Sequence, residues 1–172
     1  MFEELKSAEK IYKNDLRDVL KKISKTISIV DLMSATAIIR EDSRYVQKDY
    51  REKYLEIYIK FFIMRVKDVN EDKTNYKTCV NKNNLIESIT LLEKQARIRE
   101  DKLNDKFPII YNIISLYTTY VLEEPIHPAG TPFPGDLKVT YDNNTFYCPV
   151  KKNNENNPLA VCKFCIAEQT KF

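Results

Sequence analysis

Both glycines of this 172-residue chain, Gly130 and Gly135, and six of its seven prolines lie after residue 124. Residues 1–124 therefore contain no glycine and a single proline, Pro108. Glycine and proline are the residues that most often interrupt helices, so a long segment that lacks them favours helical structure. The sequence predicts a mainly α protein, with a helical bundle over residues 1–124 and an irregular C-terminal knob over residues 125–172.

Hydrophobic periodicity divides the first segment into about five helices. Apolar side chains recur three to four positions apart in the first four, and the fifth is apolar on almost every face. The predicted helices span residues 2–27, 28–43, 44–69, 84–100 and 108–122. Asn84 and Glu87 have the spacing of a capping box, and Pro108 suits the first turn of a helix. The fifth helix is predicted to be the central, buried helix of the bundle.

A basic stripe and an aromatic stripe run along two of these helices. The first helix carries Lys6, Lys10, Lys13, Arg17 and Lys21. The third carries Tyr50, Tyr54, Ile57, Tyr58, Phe61 and Phe62. The basic stripe could bind phosphate groups and the aromatic stripe could stack on a ligand. A solvated face neutralised by nearby acids and a buried packing face are the commoner structures, and we expect them here.

The overall charge and the N-terminus restrict the classes of partner. Lysine and arginine exceed the acids by 28 to 25, a net charge of +3 that is small for a nucleic-acid-binding domain. A nucleic-acid partner is therefore weakly supported, and a protein partner is the stronger prediction. The N-terminus lacks the basic region of a signal peptide, and no apolar run approaches the roughly 18–20 residues that span a bilayer. We expect a cytoplasmic protein with no membrane association.

The amino-acid composition of the chain changes after residue 124. The closely spaced prolines of residues 125–134 exclude both a helix and a central strand. Two β-prone runs, residues 137–141 and 145–150, flank Asp142-Asn143-Asn144 and predict a short β-hairpin that ends near Cys148. A polar loop over residues 151–157 leads to the last segment.

Three of the four cysteines lie in this C-terminal segment. Cys162 and Cys165 form a Cys-x-x-Cys pair, and Cys148 ends the predicted hairpin. Two cysteines at this spacing can wrap around one ion, and thiolates bind zinc and iron strongly. In a reducing compartment such a pair more often binds metal or takes part in catalysis than forms a structural disulfide. A segment with little hydrophobic core of its own also needs a cross-link such as a bound metal ion to fold, so we predict a metal site at these three cysteines.

The fourth position of this site has three candidates. His127, the only histidine, is flanked closely by prolines and is the first; Cys79 is the second, and water or substrate is the third. Ligation by three cysteines and one histidine would make a closed, structural zinc site. Three cysteines that hold a 4Fe-4S cluster with one accessible iron would instead make an enzyme or an electron carrier. Inert thiols in a metal-free interaction module, or a redox pair of Cys162 and Cys165, are the remaining alternatives.

Other catalytic patterns are weak or missing. The two glycines do not have the spacing of a phosphate-binding loop, and the chain has no Gly-x-Ser-x-Gly sequence. Glu123 and Glu124 could act as acid–base carboxylates near His127, but at a helix end we expect them to be solvated. The sequence identifies no reaction, and it favours a binding protein with a structural zinc site over an iron–sulfur enzyme.

Three stretches of the C-terminal segment together resemble the signature of a known family. They are His-Pro-Ala-Gly-Thr-Pro-Phe-Pro-Gly from His127, Tyr-Cys-Pro-Val-Lys around Cys148, and Asn-Pro-Leu-Ala-Val-Cys-Lys-Phe-Cys ending at Cys165. This pattern is similar to the C-terminal signature of DUF2115, an uncharacterised family found chiefly in methanogenic archaea. Asp136 stands where that pattern often has a second glycine, so a different turn is expected there. The resemblance implies an archaeal cytosolic setting, in which iron–sulfur proteins are common, and no established activity.

Overall fold

The computed structural model describes residues 2–99 and 106–171, and these residues are mainly helical. Their α-helices are α1 (Glu3–Ser7), α2 (Lys13–Ser24), α3 (Ile29–Asp42), α4 (Lys48–Glu71), α5 (Lys82–Arg99), α6 (Phe107–Leu116) and α7 (Lys151–Asn154). A 3-10 turn, Ser43–Tyr45, follows α3, and α6 continues into a π-helical turn, Tyr117–Val121. The prediction of a mainly α fold is confirmed. None of the described helices is both long and apolar enough to cross a membrane.

Two apolar clusters form the core of the bundle, and α6 contributes to both. The larger cluster includes Leu16 and Leu20 of α2, Leu85, Ile89 and Leu92 of α5, and Ile113 and Leu116 of α6. The smaller cluster includes Ala35 and Ile39 of α3, Phe62 and Val66 of α4, and Ile110 and Ile114 of α6. Because α6 supplies side chains to both clusters, it is the central, buried helix that its uniformly apolar sequence predicts.

The first predicted helix is interrupted between α1 and α2. The Ile11 carbonyl accepts a hydrogen bond from the Val80 N–H group at 2.9 Å, and Tyr12 and Cys79 form an isolated antiparallel bridge. This pairing buries Ile11 completely. The prediction of one continuous helix over residues 2–27 is wrong, because hydrogen bonds to a distant segment replace the helical ones.

The start of α5 also differs from the prediction. The helix begins at Lys82, and the Asn84 N–H group donates to Asn81 Oδ1 at 3.1 Å. Asn81 therefore caps the helix, and the predicted capping box of Asn84 and Glu87 is wrong because Asn84 already lies in the first turn. The predicted end of this helix at Glu100 lies outside the described residues.

The basic stripe of the N-terminal segment is used within the fold. Two lysines form ion pairs at 2.9 Å, Lys6 with Glu93 and Lys13 with Glu123. Lys21 donates to the backbone carbonyl of Asp72, also at 2.9 Å. The Arg17 guanidinium donates to the backbone carbonyl of Thr74. These contacts join α1 and α2 to α5, to the end of the π-helical turn and to the loop after α4. The stripe thus has a structural role, but it is not the expected solvated face, because Lys13 is buried and its partner, Glu123, lies in a distant segment.

A single carboxylate closes the loop after α4. Asp72 Oδ2 accepts hydrogen bonds from the Tyr117 hydroxyl at 2.9 Å and the Tyr76 hydroxyl at 3.0 Å, and Oδ1 accepts one from the Thr74 N–H group at 2.8 Å. Burial opposes ionisation of Asp72, but these hydrogen bonds outweigh burial and hold its pKa below the usual value. The buried phenol of Tyr117 therefore has a charged acceptor.

We expect Tyr117→Phe to lower the free energy of unfolding by about 1.5–3 kcal/mol, because it removes a hydrogen bond to a charged group inside the core. Tyr117 is only 2% exposed. Tyr76→Phe removes a bond to the same oxygen from a less buried ring and is the matched control, with an expected loss of about 0.5 kcal/mol. Urea unfolding followed by circular dichroism measures both losses. Equal losses would show that burial does not strengthen the Tyr117 bond.

Five short strands organise the C-terminal segment. They are β1 (Pro132–Phe133), β2 (Leu137–Lys138), β3 (Thr140–Asp142), β4 (Thr145–Cys148) and β5 (Glu168–Gln169). The β1–β2 and β3–β4 pairs are antiparallel, and β5 lies parallel to β4. Asp142 pairs with Thr145, so Asn143 and Asn144 form the turn, with φ values of 47° and 60°. A type I′ hairpin turn requires positive φ at both positions, and the predicted hairpin is confirmed, although β2 pairs with β1 instead of extending β3.

The turn between β1 and β2 also uses left-handed backbone conformations. Gly135 has a φ of 84° and Asp136 a φ of 58°. Aspartate tolerates this region better than most residues because its short polar side chain can form local hydrogen bonds. Asp136 therefore adopts a conformation that a glycine would reach at lower cost.

Candidate metal site

A small cavity in the C-terminal segment is lined by all four residues that the sequence predicts as metal ligands, His127, Cys148, Cys162 and Cys165. Its volume is about 20 Å³, enough for one water-sized sphere. His127 comes from the segment after the π-helical turn and Cys148 from the end of β4. The two remaining cysteines come from the turn that precedes β5. The cavity therefore joins three parts of the chain that are separated in sequence.

The four side chains share the cavity without forming a ready metal site. All four cysteines of the chain are free thiols. Within residues 2–99 and 106–171, no group of three or more His, Cys, Asp or Glu side chains is arranged to hold a metal ion. Metal binding by the C-terminal knob therefore stays a prediction. Cys79 lies elsewhere, exposed on the bridge with Tyr12, and does not line this cavity.

Cys148 begins a turn in which backbone groups face its sulfur atom. The N–H groups of Val150 and Lys151 donate to the Cys148 sulfur. Burial raises the pKa of the Cys148 thiol, and these two hydrogen bonds offset part of that rise. Hydrogen bonds to the sulfur favour the thiolate, which is the form that binds metal.

The Cys-x-x-Cys turn is fixed to the helical bundle. The Cys165 N–H group donates to the Val161 carbonyl at 3.1 Å, and the Val161 side chain is buried in the larger cluster of the bundle core. Gln95 of α5 donates to two backbone carbonyls just before the turn, each at 3.0 Å. Burial, with repulsion from the neighbouring thiols, raises the pKa of Cys162 to about 11. Metal binding at Cys162 would therefore release a proton.

Lys151 connects the two cysteine-bearing parts. Its ammonium group donates to the carbonyls of Cys165 at 2.9 Å and Ala167 at 2.6 Å. Its charge also lies close enough to the Cys148 and Cys162 thiols to favour their thiolate forms, which offsets a small part of the rise in pKa that burial causes at each. The sequence analysis missed this residue, because a lysine three positions after a cysteine carries no recognisable signal.

Aromatic side chains surround the His127 ring. The rings of Tyr58, Phe133 and Tyr54 lie 5.6, 5.8 and 6.3 Å from it, measured between centroids. Burial lowers the pKa of His127 to about 4, so the ring is neutral near pH 7 and one nitrogen is free to bind a metal. The aromatic stripe of α4 is thus divided, because Phe62 fills the bundle core while the two tyrosines pack against His127.

The similarity to known proteins covers both parts of the fold. The profile of the DUF2115 family, described as an uncharacterized protein conserved in archaea, matches residues 12–170. The chain belongs to this family. The resemblance detected in the C-terminal segment is therefore confirmed, and the match also includes helices α2 to α7. The matched range contains all four residues that line the small cavity.

Several curated relatives align over almost the whole chain. Two UPF0305 proteins of Methanothermobacter thermautotrophicus are 38% and 34% identical, over 90% and 88% of this chain and 94% and 92% of the relatives. A UPF0305 protein of Methanocaldococcus jannaschii is 28% identical, over 90% of this chain and 94% of the relative. No solved structure matches the chain.

Proposed function

We propose that this DUF2115 protein is a binding protein whose C-terminal segment is held by one structural zinc ion. The observation that carries the proposal is the cavity of about 20 Å³ shared by His127, Cys148, Cys162 and Cys165. One imidazole and three thiolates form a complete tetrahedral ligand set for zinc. A set that leaves no open position is typical of structural zinc, whereas catalytic zinc keeps one position for water or substrate.

The chemistry of the donors suits zinc. Burial keeps His127 neutral, and backbone N–H groups favour the thiolate of Cys148. Three thiolates around Zn²⁺ leave one net negative charge, and the ammonium group of Lys151 lies beside them to offset it. Zinc binding requires the four donors to turn toward the centre of the cavity that they already line.

The size of the cavity favours one ion over a cluster. Zinc lies about 2.3 Å from thiolate sulfur and about 2.0–2.1 Å from imidazole nitrogen, so a single ion needs little space between its ligands. A 4Fe-4S cluster places four irons and four sulfides in the same position. A volume of about 20 Å³ accommodates the first without the expansion that the second requires. The iron–sulfur enzyme or electron carrier is therefore the alternative.

The C-terminal segment exposes several apolar side chains that suit a protein partner. Tyr141, Leu159 and Ile166 are 54%, 41% and 38% exposed, and all three belong to the segment that zinc would order. Burial of such side chains against a partner is favourable, because it removes apolar surface from water. A protein partner is preferred to nucleic acid, since the basic stripe of α1 and α2 already contacts groups within the fold.

Metal analysis of protein purified without oxygen tests this proposal. We expect about one zinc per chain and no colour, because Zn²⁺ has a filled d shell and one site is present. Brown protein that contains iron and sulfide would show that the site holds an iron–sulfur cluster and not zinc. Protein without bound zinc or iron would favour the remaining alternative, a metal-free interaction module. Substitution with Co²⁺ should then produce the thiolate-to-cobalt absorption that reports cysteine ligands.

A further inference from the structure

A larger cavity lies on the other side of the Cys-x-x-Cys turn. It is an open groove of about 780 Å³ between α5, the π-helical turn and the residues around that turn. One wall follows α5 from Asn84 to Lys94, and the other walls include Thr119, Tyr120 and Lys163. Small-molecule sites usually have volumes of about 300–1,000 Å³, so the groove is large enough for a complete ligand.

We propose that this groove binds a small amphipathic anion, a molecule with an apolar or aromatic body and one acidic group. The site is distinct from the cysteine-lined cavity. It goes beyond the proposed zinc site, because the lysines and rings that define it are not zinc ligands. Lys163 and Phe164 lie within the Cys-x-x-Cys turn, so the dyes are added to protein of known metal content.

The middle of the groove suits an apolar or aromatic body. The rings of Tyr120 and Phe164 stack with centroids 6.5 Å apart, and Leu91 lines the groove beside them. The Tyr120 hydroxyl lies 2.6 Å from Ser88 Oγ and donates to the Asn84 carbonyl at 2.8 Å. These bonds fix the ring of Tyr120, so the surface that a flat ligand would contact is preformed.

The charged side chains place the acidic group of the ligand. Lys13 pairs with Glu123 at 2.9 Å, whereas the side-chain ammonium groups of Lys94 and Lys163 have no hydrogen bond or ion pair with another described residue. Glu87 is the remaining carboxylate of the groove. It precedes Lys94 by two turns of α5, about 10 Å along the helix axis. An anion is therefore bound more favourably at the Lys94 end of the groove, away from Glu87.

Two further contacts place Lys163 at the same end as Lys94. Gln95, the next residue of α5, donates to the carbonyls of Pro158 and Ala160 in the segment that leads to the Cys-x-x-Cys turn. Lys163 and Leu91 also line an adjoining cleft with Ala160 and Glu155, and the described side chains of Glu155 and Lys163 form no ion pair. Two lysines from different elements thus flank one end of the groove.

The helical wall of the groove has two unusual backbone features. Thr119 lines the groove and is 4% exposed, and its hydroxyl has no hydrogen-bond partner among the described residues. Thr119 lies in the π-helical turn, and Glu123 just after it has a φ of 55°. Both features are over-represented at functional sites.

A pair of fluorescent dyes tests the proposal on the full chain. The probe is 8-anilinonaphthalene-1-sulfonate, and the control is N-phenyl-1-naphthylamine, which has the same rings without the sulfonate. We expect the wild-type protein to bind the sulfonate about tenfold more tightly than the neutral dye. The double variant Lys94→Gln/Lys163→Gln should lose about tenfold in sulfonate affinity and keep its affinity for the neutral dye.

Two further variants locate the binding. Lys60→Gln/Lys152→Gln removes one exposed helix lysine and one exposed tail lysine outside the groove, for the same change in net charge, and should bind both dyes like the wild type. Thr90→Trp fills the groove from an exposed position of α5 and should weaken both dyes. The proposal is overturned if the wild type does not bind the sulfonate, if both double variants lose affinity equally, or if Thr90→Trp changes nothing.

Discussion

Cys162→Ser is expected to abolish stoichiometric zinc binding, with an affinity loss of more than about 100-fold, because changes even to the partners of zinc ligands cost 10–100-fold. Without zinc, the segment around the Cys-x-x-Cys turn loses the bond that joins it to Cys148 and His127. Amide hydrogen exchange should therefore accelerate in residues 160–169 and in β4. The far-UV circular dichroism should change little, because the helices of the bundle have their own core in the two large apolar clusters.

Cys79→Ser is the matched control for this experiment. It makes the same chemical change at an exposed cysteine that lies outside the cavity, so zinc content and exchange should stay as in the wild type. Zinc loss in Cys79→Ser, or full zinc in Cys162→Ser, would contradict the proposed ligand set. Loss of all helical signal in Cys162→Ser would contradict the division at residue 124. It would show that the bundle depends on the C-terminal segment, which already contributes Val161 to the bundle core.

The bundle was largely predictable because its determinants are local. The apolar faces of residues 109–122 identify α6 as the central helix without any knowledge of its neighbours. The interruption at Ile11 has no such local cause, because its hydrogen-bond partner is Val80. The parallel pairing of β5 with β4 was equally hidden, since a two-residue strand has no periodicity to detect. Where distant backbone segments pair, local propensity is overridden.

The site was predictable only as far as rare residue types mark it. Cysteine and histidine are scarce in this chain, and their clustering pointed to one location that the shared cavity now joins. Lys151 and Tyr58 are common residue types, and only the fold brings them to the cysteines and to His127. The groove was missed for the same reason, because its lysines and rings come from α5, the π-helical turn and the Cys-x-x-Cys turn.

The single histidine should titrate far below its ordinary pKa. Burial lowers the pKa of His127 from 6.5 to about 4, and one histidine in the chain means that one set of imidazole NMR signals reports it. Because the neutral ring is favoured in the fold, the stabilisation is complete above pH 6.5 and is lost as the pH falls toward 4. The total loss is about 3 kcal/mol. In zinc-free protein, we expect lower amide protection factors around His127 at pH 5 than at pH 7, each factor being the ratio of the intrinsic to the observed exchange rate at that pH.

The aromatic surroundings of His127 make this prediction specific. Tyr58→Ala opens one side of the ring to water, so the pKa of His127 should rise toward 6.5 and the loss of amide protection at pH 5 should shrink. Tyr141→Ala makes the same change on the exposed β3–β4 hairpin and should leave the titration unaltered. A wild-type pKa near 6.5 would mean that His127 is solvated. That result would contradict both its packing against the aromatic rings and its place in the shared cavity. Because zinc binds the neutral ring, adding one equivalent of zinc should also suppress the titration.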